Sequence, residues 1–222
     1  MLYWSLWKRF EILGDKKMMM KKIVYTVLFG DYILYEPTVI NKDWELLCFS
    51  DRPRQSKNWK IKVIDCGKDI RKKSREVKIR FDRFLDCDLC LYLDAKFKIN
   101  VDLDMFVKDN LKHGLCVMRH NKIICAYAAA YFCIRKGIGD EHDILKQIDS
   151  YKKEGFPENF GLYAPGIMLR KNTNEIINFM TLWYEEIEKF GYRDIPGFSY
   201  VLWKTPIKID DMPFKKTYRQ FI

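Results

Sequence analysis

The side chains of this sequence whose spacing suits chemistry are three acidic groupings, Asp86-x-Asp88, the lone Asp94 and Asp102-x-Asp104, and one basic pair, Arg75 with Lys78. Carboxylates hold hard divalent cations, and two cations three residues apart on a helix share a face and can grip a diphosphate. Position relative to the nearest strand separates the acids. Asp86 and Asp88 precede the apolar run LCLYL and so fall at its amino edge, whereas Asp94 follows it directly and emerges at the carboxyl edge, where α/β sheets bind ligands. Asp102 and Asp104 open a helical segment, where acids serve as caps and dipole partners. Asp94 is therefore the expected metal ligand, with Mn²⁺ or Mg²⁺ bridging it to substrate phosphates. The alternative is a strand-end Asp accepting backbone hydrogen bonds.

Among the three histidines, His120 ends a short strand and is expected to face the cleft, while His113 and His142 sit at helix ends and are expected on the surface. Seven cysteines, an odd count set mostly among apolar neighbours, suit reduced core thiols better than a disulfide framework. Cys87-x2-Cys90 lacks the second pair that a structural zinc site needs. No Gly-x-Ser-x-Gly, Walker A or Gly-x-Gly-x-x-Gly pattern occurs, which counts against serine hydrolases, P-loop enzymes and ordinary dinucleotide-binding proteins.

The elements that must position these residues read as alternating strands and helices. Ile23 to Phe29, Glu45 to Ser50, Trp59 to Ile64, Leu89 to Leu93, Leu115 to Met118 and Gly166 to Arg170 have strand character. Ile124 to Ile134 is expected as strand or buried extended chain. Apolar residues at helical spacing run from Ile70 to Leu85, and further helices are expected over 102–112, 144–151 and, capped by Thr173 and ended by Gly191, 176–190. The predicted fold is α/β, with a mainly parallel central sheet flanked by helices and two lobes in one domain. Met18 to Lys22 mark the start of that domain, over 21–222. Residues 1–20 form an N-terminal extension whose Trp, Phe and Leu suit a short amphipathic helix docked on the domain or on a membrane surface.

Charge narrows the function classes. A net charge of +10 and pI of about 9.1 predict an anionic partner. Thirteen Lys/Arg against four acids lie between Arg52 and Arg83, so most of the excess sits there. Nucleic-acid binding would use the same charges, but no nucleic-acid motif accompanies them, and no specific nucleic-acid partner is expected. No apolar stretch approaches the ~20 residues of a membrane span, and the N-terminus lacks the h-region of a secretory signal. A cytoplasmic monomer is expected, and the ending at Tyr218 to Ile222 suggests one domain of a longer chain.

Short pieces in a fixed order carry a resemblance: Phe29-Gly30-Asp31-Tyr32 with Pro37, Cys48-Phe49-Ser50-Asp51, Arg75 and Lys78, Tyr92-Leu93-Asp94-Ala95, His120, Leu169-Arg170, Trp183, and Arg193-Asp194. With these the sequence resembles the GT-A-fold glycosyltransferase-like domains of bacteria, plants and large viruses, and most of all the glycosyltransferase domain of a chlorella virus multidomain protein. The resemblance implies a GT-A-like fold and a UDP-sugar donor site. Phe29, Gly30, Asp31, Tyr32, Ser50 and Asp51 would surround the nucleoside, Arg75 and Lys78 the phosphates, and Asp94 would occupy the metal-binding Asp-x-Asp position. Lys96 replaces the second acid of that motif, and either phosphates and waters complete the metal shell or Lys96 itself supplies positive charge. Ile123, Ala129 and Ile195 stand where relatives have Arg, Glu and Gln. Asp194, with Arg193 beside it, is the expected carboxylate for sugar or acceptor, and His120 a second polar contact. The implied reaction is metal-dependent, retaining transfer of a hexose or deoxyhexose from UDP-glucose, or alternatively UDP-rhamnose, to a glycan acceptor. The competing readings are an inactive nucleotide-sugar-binding domain and a basic nucleic-acid-binding domain.

Overall fold

The computed structural model describes residues 20–191 and 193–222, so the expected N-terminal extension lies outside the described residues apart from Met20. One seven-stranded sheet contains β1 Lys22–Leu28, β2 Trp44–Ser50, β3 Lys60–Val63, β4 Leu89–Leu93, β5 Leu115–Arg119, β6 Tyr163–Lys171 and β7 Ile209–Met212, in the order β3-β2-β1-β4-β6-β5-β7. The helices are α1 Ile70–Ile79, α2 Leu103–Asn110, α3 Ala126–Arg135, α4 Glu141–Lys153, α5 Asn174–Phe190, α6 Asp194–Lys204 and α7 Phe214–Gln220. The mixed α/β fold with a mostly parallel sheet is the one the sequence predicts, with one exception. β6 runs antiparallel to both its neighbours, β4 and β5. It starts opposite Arg119, the last residue of β5, so it enters at the carboxyl edge of the sheet and brings Ala164-Pro165-Gly166 there.

Alternation along the strands sorts the core into two layers. Ile23, Tyr25, Cys90 and Tyr92 face the layer built with α1, α3, α4, α5 and α6, while Val24, Leu28, Leu89, Leu91 and Leu93 face Phe106 of α2 and Phe221 beyond α7. β4 is buried on both faces, which is why LCLYL is apolar throughout instead of alternating. Trp183, fully buried on α5, donates its indole N–H to the backbone carbonyl of Asp194 at 2.8 Å and so anchors the start of α6.

Two expectations are corrected. Residues 126–135 form helix α3 and not extended chain, because AYAAAY has the helix propensity of its alanines whatever its burial. Helix α1 stops at Ile79, followed by a separate 3₁₀ turn over Phe81–Arg83. The reason lies across the core: Lys78 O accepts from Tyr25 Oη at 2.6 Å and from Arg170 Nη1 at 3.0 Å, and Ile79 O accepts from Arg170 at 3.4 Å. The last carbonyls of the helix are thereby satisfied without another turn. Arg170 is fully buried and stacks on Phe81, its guanidinium 4.6 Å from the ring centre.

The remaining acids take the structural places expected of them. Asp88 accepts from the Lys21 N–H at 2.7 Å, Asp86 pairs with Lys21 Nζ at 2.8 Å, Asp102 caps α2, and Asp104 accepts from Lys22 and Trp44. All seven cysteines are free thiols. Among the described residues no helix is long and apolar enough to cross a membrane.

Candidate active site

Six of the residues singled out in the sequence converge on one cleft at the carboxyl edge of the sheet: Arg75 and Lys78 from α1, Asp94 and Lys96 after β4, and Arg193 and Asp194 at the start of α6. Phe97, Met118, Ala164, Pro165, Gly166, Ile195, Phe214 and Tyr218 complete its walls, and its volume is about 200 Å³. That space suits the reacting end of a ligand more than a whole nucleotide sugar. A larger concavity of about 1240 Å³ lies at the opposite edge, between Lys21, Lys22 and residues 37–46. It sits at the amino ends of β1 and β2 and borders Met20, the first described residue, so the smaller cleft is the better candidate.

Asp194 is the electrostatic centre. Its side chain is 6% exposed, and its Oδ2 lies 2.7 Å from Lys78 Nζ and 3.4 Å from Arg75 Nε. Burial alone would raise its pKa, but the charges of Arg75 and Lys78 outweigh it and hold the carboxyl well below the usual range. Its place in the first turn of α6 adds the favourable end of the helix dipole. Lys78, 4% exposed, also approaches Asp94 Oδ1 at 3.7 Å and stands over the Tyr92 ring at 5.2 Å.

Asp94 is held by its own strand and by β6. Tyr92, two residues back and hence on the same face, donates its hydroxyl to Asp94 Oδ1 at 2.9 Å. Burial and the Asp94 charge push the Tyr92 phenol well above its ordinary pKa, so it stays a protonated donor. The Asp94 N–H donates to Gly166 O at 2.8 Å, and a Cβ on Gly166 would come within 2.7 Å of Asp94 Oδ2 and 3.2 Å of Phe97 Cε2. A glycine at 166 is what leaves room for the carboxylate.

The residues expected around the nucleoside form a second group, next to the carboxyl ends of β1 and β2, and none of them lines the cleft. Phe29 belongs to the core. Gly30, with φ of 84°, donates its N–H to Asp51 Oδ2 at 3.0 Å, and Asp51 also meets Arg52 and Arg54. Burial would raise the Asp51 pKa, but hydrogen bonds from Arg52, the Gly30 N–H and Arg54 hold it at about 2. Ser50 is buried and accepts from Arg54 Nε at 2.8 Å. Asp31, 92% exposed, pairs with Arg52, and Tyr32 is 71% exposed. His120 does not line the cleft. Its ring lies 6.0 Å from that of Phe214, a wall residue, and its Nδ1 accepts from the Ile123 N–H at 3.0 Å. Burial, then the nearby Lys122, lower its pKa.

The donor set suits a divalent cation poorly. Among the described residues, Asp94 and Asp194 are the only carboxylates of the cleft, and Asp194 is engaged by Lys78 and Arg75. Asp94 Oδ1 accepts from Tyr92 and has an ammonium 3.7 Å away. Among the described residues, the one cluster of three metal-capable side chains within reach of a common ion is Asp140, His142 and Asp143, exposed at the start of α4, where Asp140 caps the helix. A hard cation here would have one carboxylate, already shared with Tyr92 and beside the Lys78 ammonium, and would depend on phosphates and waters for its other oxygens.

Sequence reasoning missed Tyr92, Gly166, Arg54 and the α7 pair Phe214 and Tyr218. Tyr92 was signalled by the period of two that puts it on the face of Asp94. Phe214 and Tyr218, four apart and stacked with centroids 5.6 Å apart, had the helical spacing but nothing local to tie them to the cleft. Nine of the thirteen cations between Arg52 and Arg83, namely Arg52, Arg54, Lys60, Lys72, Lys73, Arg75, Lys78, Arg80 and Arg83, form ion pairs, many of them with acids outside the run.

No curated protein sequence matches the chain significantly. Among solved structures, the apo form of the bifunctional glycosyltransferase WbbM is similar with a TM-score of 0.56 at 10% identity, over 89% of this chain and 39% of that one. Apo mouse xyloside xylosyltransferase 1 gives a TM-score of 0.48 at 8% identity, over 87% and 85%. This chain thus spans about two fifths of WbbM, and the likeness shows a shared fold of the GT-A kind. The TOD1/MUCI70 glycosyltransferase-like domain matches residues 19–220, and the chain belongs to that family.

Proposed function

We propose that the cleft is the donor site of a glycosyltransferase that moves a hexose or deoxyhexose from a UDP-sugar to a glycan acceptor. The observation that carries this is the convergence of Arg75, Lys78, Lys96 and Arg193 around two carboxylates, which leaves a surplus of positive charge where a diphosphate leaving group would lie. Glycosyl transfer builds negative charge on the departing diphosphate, and cations fixed beforehand stabilise it without reorganisation. The uridine diphosphate class comes from the family resemblance. UDP-glucose is the first donor to test and UDP-rhamnose the second.

Asp194 is a positioning residue in this scheme. A carboxylate held strongly ionised by two cations is a weak base, so it orients Arg75 and Lys78 instead of accepting the acceptor's proton. That fits retention, which proceeds without a dedicated base. In this reading Asp94 Oδ2, beside Gly166, would accept from a sugar hydroxyl.

Thermal unfolding against a panel of nucleoside diphosphates and sugar nucleotides tests the reading, since a ligand selective for the folded state raises the midpoint. A rise with UDP and one UDP-sugar, followed by transfer of that sugar to a glycan primer, is the expected result. A rise without any hydrolysis or transfer would favour an inactive binding domain. A response to oligonucleotides alone would refute the proposal.

A further inference from the structure

We infer that this site grips the donor diphosphate with side-chain cations alone, Lys96 occupying the place of a divalent ion. The inference rests on the nucleotide-sugar reading above and goes beyond it to how the phosphates are held.

Three features of the cleft carry it. First, positive charge is already installed where a metal would bring it: the Lys78 ammonium lies 3.7 Å from Asp94 Oδ1 while remaining paired with Asp194 at 2.7 Å. A divalent ion on that oxygen would meet a buried like charge in surroundings that screen it poorly. Second, Lys96 follows Asp94 by two residues, lines the same cleft and stays exposed, its ammonium 5.1 Å from the Phe97 ring centre. A flexible, solvated ammonium at the mouth of the cleft can fold onto a phosphate as it arrives. Third, Arg193 lines the other wall. Its Nη2 meets Cys133 Sγ at 2.9 Å, and its buried Nε has no partner among the described residues. Four cations face two carboxylates. The surplus of two positive charges matches the two negative charges of a sugar-nucleotide diphosphate, so the complex closes neutral without a metal.

The experiment is calorimetric titration of UDP into the full chain, once with a chelator and once with Mn²⁺. The expected result is the same Kd within about twofold in both buffers, weakening steeply with salt. Lys96→Ala, an exposed position that spares the fold, is expected to weaken UDP about tenfold in both buffers, as the loss of one charge-assisted contact would. Lys96→Asp rebuilds an Asp-x-Asp pair and is expected to bind UDP only with Mn²⁺. UDP binding by the natural chain that requires Mn²⁺ would overturn the inference and leave the transferase reading standing. Chelator-insensitive binding that Lys96→Ala leaves untouched would remove Lys96 from the clamp and overturn it too. No UDP binding in either buffer would overturn the transferase reading, and this inference with it.

Discussion

Replacing Asp194 by Asn tests the centre of the site most sharply. The substitution keeps the shape and removes the charge, so Lys78, 4% exposed and 2.7 Å from the carboxylate, is left as a buried cation facing an amide, with the Asp94 carboxylate 3.7 Å away as its remaining counter-charge. Removing one partner of a buried ion pair costs about 3–5 kcal/mol, since the survivor stays desolvated. For a domain of this size each kcal/mol moves the midpoint by roughly 2–4 °C, so Tm should fall by roughly 6–20 °C. The pH dependence fixes which group is responsible. The Asp194 carboxyl is held well below the ordinary value in the folded protein, so its contribution is fully present above the unfolded pKa of about 4. It is lost as pH falls from there towards the folded value. Urea denaturation of Asp194→Asn and the natural protein should therefore show a constant deficit from neutrality down to about pH 5, shrinking below about pH 4. A deficit under about 0.5 kcal/mol at neutral pH would refute the buried pair, and one that grows on acidification would refute the ionised carboxylate. The double change Lys78→Met with Asp194→Leu should regain most of the stability yet lose UDP binding, which separates the fold from the site.

Gly166→Ala should lower transfer at least tenfold with a stability cost of about 1–3 kcal/mol, because the new methyl would fall 2.7 Å from Asp94 Oδ2; unchanged turnover would show that the carboxylate's place is immaterial. Tyr25→Phe removes the 2.6 Å hydrogen bond to Lys78 O and should cost about 1–3 kcal/mol in denaturant titrations while weakening UDP binding through a displaced Lys78. His120 has a lowered pKa, so its stabilising neutral form is fully present above the unfolded value of about 6.5 and is lost as pH drops through the folded one. His120→Gln should flatten the stability profile across that interval in denaturant titrations, and an unaltered profile would place the titration elsewhere.

How much of this was legible in the sequence follows from the range of each interaction. Asp94 was readable because a single local fact, an apolar five-residue run ending in an acid, places it at the carboxyl edge. Arg75 and Lys78 were readable because helical spacing is local as well. The end of α1 was not, since the hydrogen bonds that stop it come from Tyr25 and Arg170, 53 and 92 residues away from Lys78. Helix α3 was misread because apolar composition marks burial in strand and helix alike, and only the alanine content of AYAAAY favours the helix. The antiparallel β6 depends on the α3–α4 excursion returning to the edge it left, a property of topology that no window of sequence contains.

The same distinction explains why the metal was easier to expect than the cation clamp. An acid after a strand is a local motif, and its partner two residues on is an acid or it is not; here it is Lys96. What completes the site is the meeting of Lys78 with Asp194, separated by 116 residues, which commits the second carboxylate of the cleft to holding lysine and arginine in place. Once that carboxylate is spent, Asp94 alone remains, with the Lys78 ammonium beside it, and the surplus charge is positive. On the proposed reading the phosphate-binding chemistry follows from one long-range ion pair, and Lys96, two residues after Asp94, acquires its meaning only beside that pair.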